Sequence, residues 1–140
     1  INDRLDICLA VDAAGVHLGQ TDLPCSEARR ILGAEKIIGV SAATPEEAAK
    51  AQSDGADYLG VGAVFATSTK TNTRPVTAET IRAIRSAVDI PFVVIGGVNS
   101  ENISGLYGLG INGAAVISAI ISQPDITAAA RKMRQAAERL

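Results

Sequence analysis

Asp3 and Asp22 each fall just past an apolar run, at the carboxyl ends of two segments that read as neighbouring strands. Adjacent strands lie about 4.8 Å apart, so two such carboxylates can share one hard cation. Mg²⁺ suits the pair, because it takes one or two carboxylates and completes its octahedron with water and phosphate oxygens. Each aspartate can instead cap the helix that follows it. In "GAVFATSTKTNTRPV" (62–76), Thr67, Ser68, Thr69 and Lys70 offer hydroxyl donors and one cation. That set suits a phosphate or pyrophosphate, with the lysine acting as a point charge; a solvated polar loop is the alternative. Ser41 directly follows "KIIGV", which turns its hydroxyl to the same mouth; a hydroxyl serving only the strand-to-helix turn is the alternative. Gly96 and Gly97 let the backbone approach a ligand closely. Ile117 and Ser118 lead into a last helical region whose N–H groups can hold an anion. His17, the single histidine of the chain, reads as a structural, hydrogen-bonded side chain. General bases are scarce, so chemistry that needs leaving-group stabilisation fits better than proton abstraction.

The elements that must position these groups follow an even beat. Apolar, β-rich runs recur at 15–19, 36–40, 57–62, 91–97 and 113–118. They are nearly continuous in apolar character, as expected of parallel strands covered on both faces. Helical segments lie between them. "SEARRILG" stops at Gly33. "TPEEAAKAQSDG" has Thr44 as N-cap, Pro45 in the first turn and Gly55 as its stop. "TAETIRAIRSAV" opens on Thr77, "SENISGLYGLG" on Ser100 and "DITAAARKMRQAAERL" on Asp125. The opening "INDRLDICLAV" reads as the tail of a strand running into a helix, and further residues are expected before it.

Strand followed by helix, repeated, implies a parallel α/β sheet with right-handed crossovers. A doubly wound open sheet fits, and a (β/α)₈ TIM barrel fits the even pitch better. A full barrel takes roughly 200–250 residues, so residues 1–140 are expected to be one domain, the carboxyl-terminal part of a barrel lacking about its first third. The one stretched interval, from 57 to 91, contains the hydroxyl-rich loop, and connections of that length inside a compact domain are usually functional.

Composition bounds the rest. The chain is 47% apolar and 20% charged, with net charge −2. It carries no general attraction to nucleic acid or an anionic membrane surface, and no apolar run long enough to span a bilayer. Cys8 and Cys25 lack metal-ligand spacing and read as buried thiols of a cytoplasmic protein.

"NDRLDICLAVDAAGVHLGQTDLP", "IGVSAATPEEAAKAQSDGADYLGVGAVFATSTKTNT" and "PFVVIGGVNSENISGLYGLGINGAAVISAI" together closely resemble the thiamine-phosphate synthase family. His-Leu-Gly-Gln-x-Asp and Thr-x-Thr-Lys are the most specific of these motifs. The resemblance implies a (β/α)₈ barrel enzyme, a transferase of thiamine biosynthesis. It joins hydroxymethylpyrimidine pyrophosphate to thiazole phosphate with Mg²⁺, giving thiamine phosphate and pyrophosphate by dissociative substitution. By motif match, Asp3 and Asp22 would bind Mg²⁺, and Asn2 would contact the pyrimidine. Ser41 would support the pyrimidine or its pyrophosphate, and Lys70 would serve the pyrophosphate; these two are the catalytic candidates. Thr67 and Thr69 would face the thiazole phosphate, held also by Gly97, Ile117 and Ser118. Where the family loop reads Gly-Pro-x-x-Pro-Thr, this chain has Ala63 and Ala66, which predicts a less pre-ordered loop. The family's Gln, Arg and Lys on an earlier strand have no counterparts in these residues. A thiazole tautomerase-like enzyme and a non-catalytic barrel binding phosphorylated metabolites are the alternatives; Asp22 and Thr69-Lys70 argue against the first.

Overall fold

The computed structural model describes residues 1–66 and 75–140. Among these, five strands form one parallel sheet: β1 (Gly15–Leu18), β2 (Ile37–Ala42), β3 (Tyr58–Gly62), β4 (Phe92–Ile95) and β5 (Gly113–Ala115). Each strand pairs with its successor in the chain. That sequential order departs from the reversal at the centre of a doubly wound sheet, and is the order of a barrel wall. Residues 1–3 add a short edge beside β1. The His17 N–H donates to the Ile1 carbonyl (2.9 Å) and the Asp3 N–H to the His17 carbonyl (2.8 Å).

The helices are α1 (Leu5–Ala10), α2 (Cys25–Leu32), α3 (Pro45–Ser53), α4 (Ala78–Ala87), α5 (Ser118–Ile121) and α6 (Ile126–Ala137). Their sequence signals act locally as expected. The Thr44 hydroxyl accepts the Glu47 N–H, the Thr77 hydroxyl the Thr80 N–H, and the Asp125 carboxylate the Ala128 N–H. Gly33 and Gly55 take positive φ at the ends of α2 and α3, where glycine avoids the Cβ clash.

Helices cover one face of the sheet. Ile38, Leu59, Val61, Phe92 and Val94 point into that layer and are fully buried. The opposite face is more open, with Ile37 51% and Ile95 39% exposed. On that face Gly39 is covered by the side chains of His17 and Tyr58, and Gly60 by that of His17.

Two segments differ from the sequence reading. "SENISGLYGLG" holds only a 3₁₀ turn at Ile103–Leu106. Here the Asn99 side chain accepts the N–H groups of Glu101 and Asn102, and the Asn102 side chain accepts that of Asn99. These side chains compete with helical bonding. The run 113–118 is a strand only to Ala115, because Ser118 already opens α5.

Candidate active site at the carboxyl ends of the strands

Asp3 and Asp22 flank the carboxyl end of β1. Asp3 follows the edge pairing with His17 and turns the chain at φ 63. Its neighbour Arg4 is engaged with Asp6, so Asp3 has no ion pair among the described residues. Asp22 folds back over Gly19: its Oδ2 accepts the Gly19 N–H at 2.7 Å, and its own N–H donates to the Gly19 carbonyl at 3.2 Å. A Cβ at position 19 would stand 3.0 Å from that oxygen, so glycine keeps the space. Neither aspartate caps a helix. Arg4 precedes α1 and Pro24 precedes α2, both without a side-chain cap bond. Among the described residues, no side-chain oxygen of Asp3 and only Oδ2 of Asp22 accepts a hydrogen bond from the protein. The remaining oxygens suit a hard cation. No group of three or more His, Cys, Asp or Glu side chains converges among the described residues. One or two carboxylates are what Mg²⁺ takes where water and phosphate oxygens complete its octahedron.

The sheet register places a second group that local sequence patterns did not reveal. His17 pairs with Gly39, which pairs with Tyr58; one row nearer the mouth, Ser41 pairs with Gly60. His17 spans these rows. Its Nδ1 lies 3.0 Å from the Tyr58 hydroxyl and its Nε2 3.0 Å from the Ser41 hydroxyl. The expected structural, hydrogen-bonded His17 is therefore what the structure has, and one of its partners is the candidate Ser41. The Ser41 carbonyl accepts the Gln20 side-chain N–H at 2.6 Å. Burial pushes the Tyr58 phenol above its usual value and keeps it protonated. A cavity of about 410 Å³ opens beside this group, lined by Asn2, His17, Ile37 and Tyr58 among others.

On the other side of the mouth, Gly96 and Gly97 adopt φ 95 and 66. The close approach they permit is first to the protein itself. The Val64 and Phe65 N–H groups donate to the carbonyls of Ile95 and Gly96, each at 3.1 Å. A Cβ at Gly97 would lie 2.5 Å from the Ala66 carbonyl oxygen. The Asn102 amide donates to the Gly97 carbonyl at 2.9 Å. Among the described residues the N–H groups of Gly97 and Ile117 donate to no carbonyl. Ser118 is in the first turn of α5, where N–H groups lack intrahelical partners. The calls on Thr67, Thr69 and Lys70 lie outside the described residues. The chain on either side of that segment ends at this same mouth, since the Val76 N–H donates to the Ala63 carbonyl at 2.8 Å. The carboxylates of Asp3 and Asp22 beside β1 and the backbone donors that follow β4 and β5 thus lie at the same, carboxyl end of the parallel sheet.

Residues 1–120 match the family model described as thiamine monophosphate synthase. A thiamine-phosphate synthase of Moorella thermoacetica is 54% identical over 140 residues, covering 99% of this chain and 67% of that protein. The enzyme of that name from Ruminiclostridium cellulolyticum is 56% identical over 133 residues, covering 95% of this chain and 63% of that protein. A solved thiamine phosphate pyrophosphorylase from Pyrococcus furiosus superposes with TM-score 0.88 at 42% identity, covering 98% of this chain and 65% of that one. A 3-hexulose-6-phosphate synthase shares the fold, with TM-score 0.67 at 21% identity. The chain thus spans about two thirds of the length of the curated relatives it matches. The chain belongs to the thiamine monophosphate synthase family.

Proposed function

We propose that this chain supplies most of a thiamine-phosphate synthase active site at the mouth of a (β/α)₈ barrel. The reaction joins hydroxymethylpyrimidine pyrophosphate to thiazole phosphate and yields thiamine phosphate and pyrophosphate. One observation carries the reading: the two carboxylates, the Ser41 hydroxyl and the backbone donors at Gly97 and Ser118 lie at one end of successive parallel strands. Barrel enzymes bind substrates at that end.

In this reading Asp3 and Asp22 would hold Mg²⁺, which would supply positive charge to the pyrophosphate group. Lys70 adds a further charge there. Asn2 and Ser41 hold the pyrimidine. Thr67, Thr69 and the N–H groups of Gly97, Ile117 and Ser118 hold the thiazole phosphate. The bond from the pyrimidine methylene carbon to the pyrophosphate oxygen breaks, and its electron pair leaves with pyrophosphate. The electron-rich aminopyrimidine stabilises the cation so formed. The thiazole nitrogen then gives its lone pair to the same carbon. No proton is removed, which agrees with the scarcity of bases. The protein acts by holding charge and by orienting two small-molecule substrates. The expected setting is the cytoplasm.

A coupling assay on the full-length protein, with both substrates, tests this. Thiamine phosphate and pyrophosphate should form, EDTA should stop the reaction and Mg²⁺ should restore it. Absence of product with both substrates present would overturn the activity, and product formation insensitive to EDTA would overturn the metal assignment.

A further inference from the structure

We infer that His17 is a positioning residue that fixes which way the Ser41 hydroxyl points: Tyr58 O–H donates to His17 Nδ1, His17 Nε2–H donates to Ser41 Oγ, and the Ser41 proton is presented to the substrate mouth. The inference rests on the reading above in which Ser41 touches the pyrimidine pyrophosphate.

The geometry sets the chain of bonds. A neutral imidazole has one N–H, so its two nitrogens cannot both donate. The tautomer follows from the stronger outside partner. Tyr58 is that partner, because a phenol O–H is a better donor than an alcohol. Burial raises the phenol and keeps its proton in place. With Nδ1 accepting at 3.0 Å, Nε2 carries the hydrogen and gives it to Ser41, also at 3.0 Å. Ser41 Oγ is then an acceptor toward His17, and its own O–H is available as a donor toward the mouth. The main chain of Ser41 is held separately, by Gln20 at its carbonyl. Backbone and hydroxyl of one residue are thus both fixed.

The slot for the imidazole is built into the sheet. A Cβ at Gly39 would lie 2.5 Å from His17 Nδ1 and 2.2 Å from Tyr58 Cζ, and one at Gly60 3.0 Å from His17 Cε1. Two glycines on the neighbouring strands therefore clear the path from Tyr58 to Ser41. The path climbs one register row toward the carboxyl end, from the Tyr58–Gly39–His17 row to Ser41. A purely structural histidine would need no such direction.

Two variants separate the halves of the chain in the full-length enzyme. The glutamine amide nitrogen reaches where Nε2 was, and the asparagine amide group reaches where Nδ1 was. His17→Gln should therefore retain most of the pyrimidine pyrophosphate affinity that His17→Asn loses. His17→Asn and Ser41→Ala should each raise that KM about tenfold, the loss of one directed hydrogen bond, with the thiazole phosphate KM within about twofold. The double variant His17→Asn/Ser41→Ala should be no worse than Ser41→Ala alone. Equal losses in the Gln and Asn variants, or additive losses in the double variant, overturn the proposal. Imidazole ¹⁵N spectra give a readout independent of turnover, the His17 signals being those that His17→Gln removes. The Nε2–H tautomer is expected, and Tyr58→Phe should release it to a mixture; a Nδ1–H tautomer overturns the proposal. An inactive wild-type enzyme would sink the functional reading, while the tautomer result would still decide the hydrogen-bond direction.

Discussion

The Arg29 guanidinium meets the Asp57 carboxylate at 2.6 Å, at the end of the sheet opposite the candidate site. The same group donates to the Gly55 carbonyl through two nitrogens, at 3.0 and 2.8 Å, and to the carbonyls of Gly33 and Lys36 at 2.7 Å each. Asp57 also accepts the Ile38 N–H at 2.7 Å. One side chain thus ties the ends of α2 and α3 to the starts of β2 and β3. Arg29→Ala should cost about 2–3 kcal/mol, because several part-buried acceptors lose their donor at once. Arg29→Lys should recover less than half, since an ammonium cannot span the fork. Urea unfolding measures both, and substrate KM values should not move. A loss below about 0.5 kcal/mol for Arg29→Ala would mean that water replaces the clamp.

Gly39→Ala tests the middle of β2. The added methyl would overlap the Tyr58 ring and His17 Nδ1. Backbone at a central strand cannot retreat easily, so a cost of about 1–3 kcal/mol is expected. The pyrimidine pyrophosphate KM should rise with it. Gly105→Ala is the control: nothing lies within 4 Å of its Cβ position. Its stability should stay within about 0.5 kcal/mol of the wild type. Equal stability of the two variants would show that the sheet absorbs the methyl.

The strand–helix beat and the helix caps were legible in the sequence because their signals are local. Thr44, Thr77 and Asp125 act within three residues of themselves. Asp3 and Asp22 could be placed at strand ends, but their capping alternative was excluded only by seeing Arg4 and Pro24 at the caps. The His17–Tyr58 contact joins residues 41 positions apart and depends on strand register. No single segment encodes that register. Gly97 was identified as a place of close approach, but the approaching group, the backbone of residues 65–66, was not. Between Ser100 and Gly110 the chain has helical punctuation but too many glycines, two of them at positive φ. Side chains of Asn99 and Asn102 took the hydrogen bonds a helix needed.

Cys25 should be inert in the folded protein. Its thiol is pushed up from the ordinary 9.0 by burial first, then by Asp54, against a lowering by Arg29. Its Sγ faces the Asp54 carbonyl at 3.6 Å. The folded state holds the neutral thiol, so the unfolded chain ionises first. This contribution to stability is complete below about pH 9.0 and declines as pH rises above it. Iodoacetamide at pH 8 should label Cys25 far more slowly in native protein than in urea. Labelling at the same rate in both would show that α2 opens readily from the sheet.

Lys70→Ala should slow turnover strongly and leave thiazole phosphate affinity nearly intact. The expectation comes from a point charge within a hydroxyl-rich stretch of sequence, suited to the leaving pyrophosphate. Single-turnover rates and thiazole phosphate titration separate the two effects. Equal losses in both would place Lys70 on the thiazole phosphate.

Asp22→Asn isolates charge from architecture. The asparagine carbonyl oxygen can still accept the Gly19 N–H that Asp22 Oδ2 now takes at 2.7 Å, so the turn after β1 should survive. Thermal unfolding should therefore shift little. In the proposed site one negative charge toward the cation would be gone, and a hard cation responds to charge more than to donor count. The Mg²⁺ concentration for half-maximal coupling should rise by about tenfold or more, with maximal rate partly recovered at high Mg²⁺. Asp22→Ala removes the turn bond as well and should lose both stability and metal response. If Asp22→Asn instead kept the wild-type Mg²⁺ dependence while Asp22→Ala lost activity, Asp22 would be a closure of the loop and Asp3 alone would remain as the metal candidate.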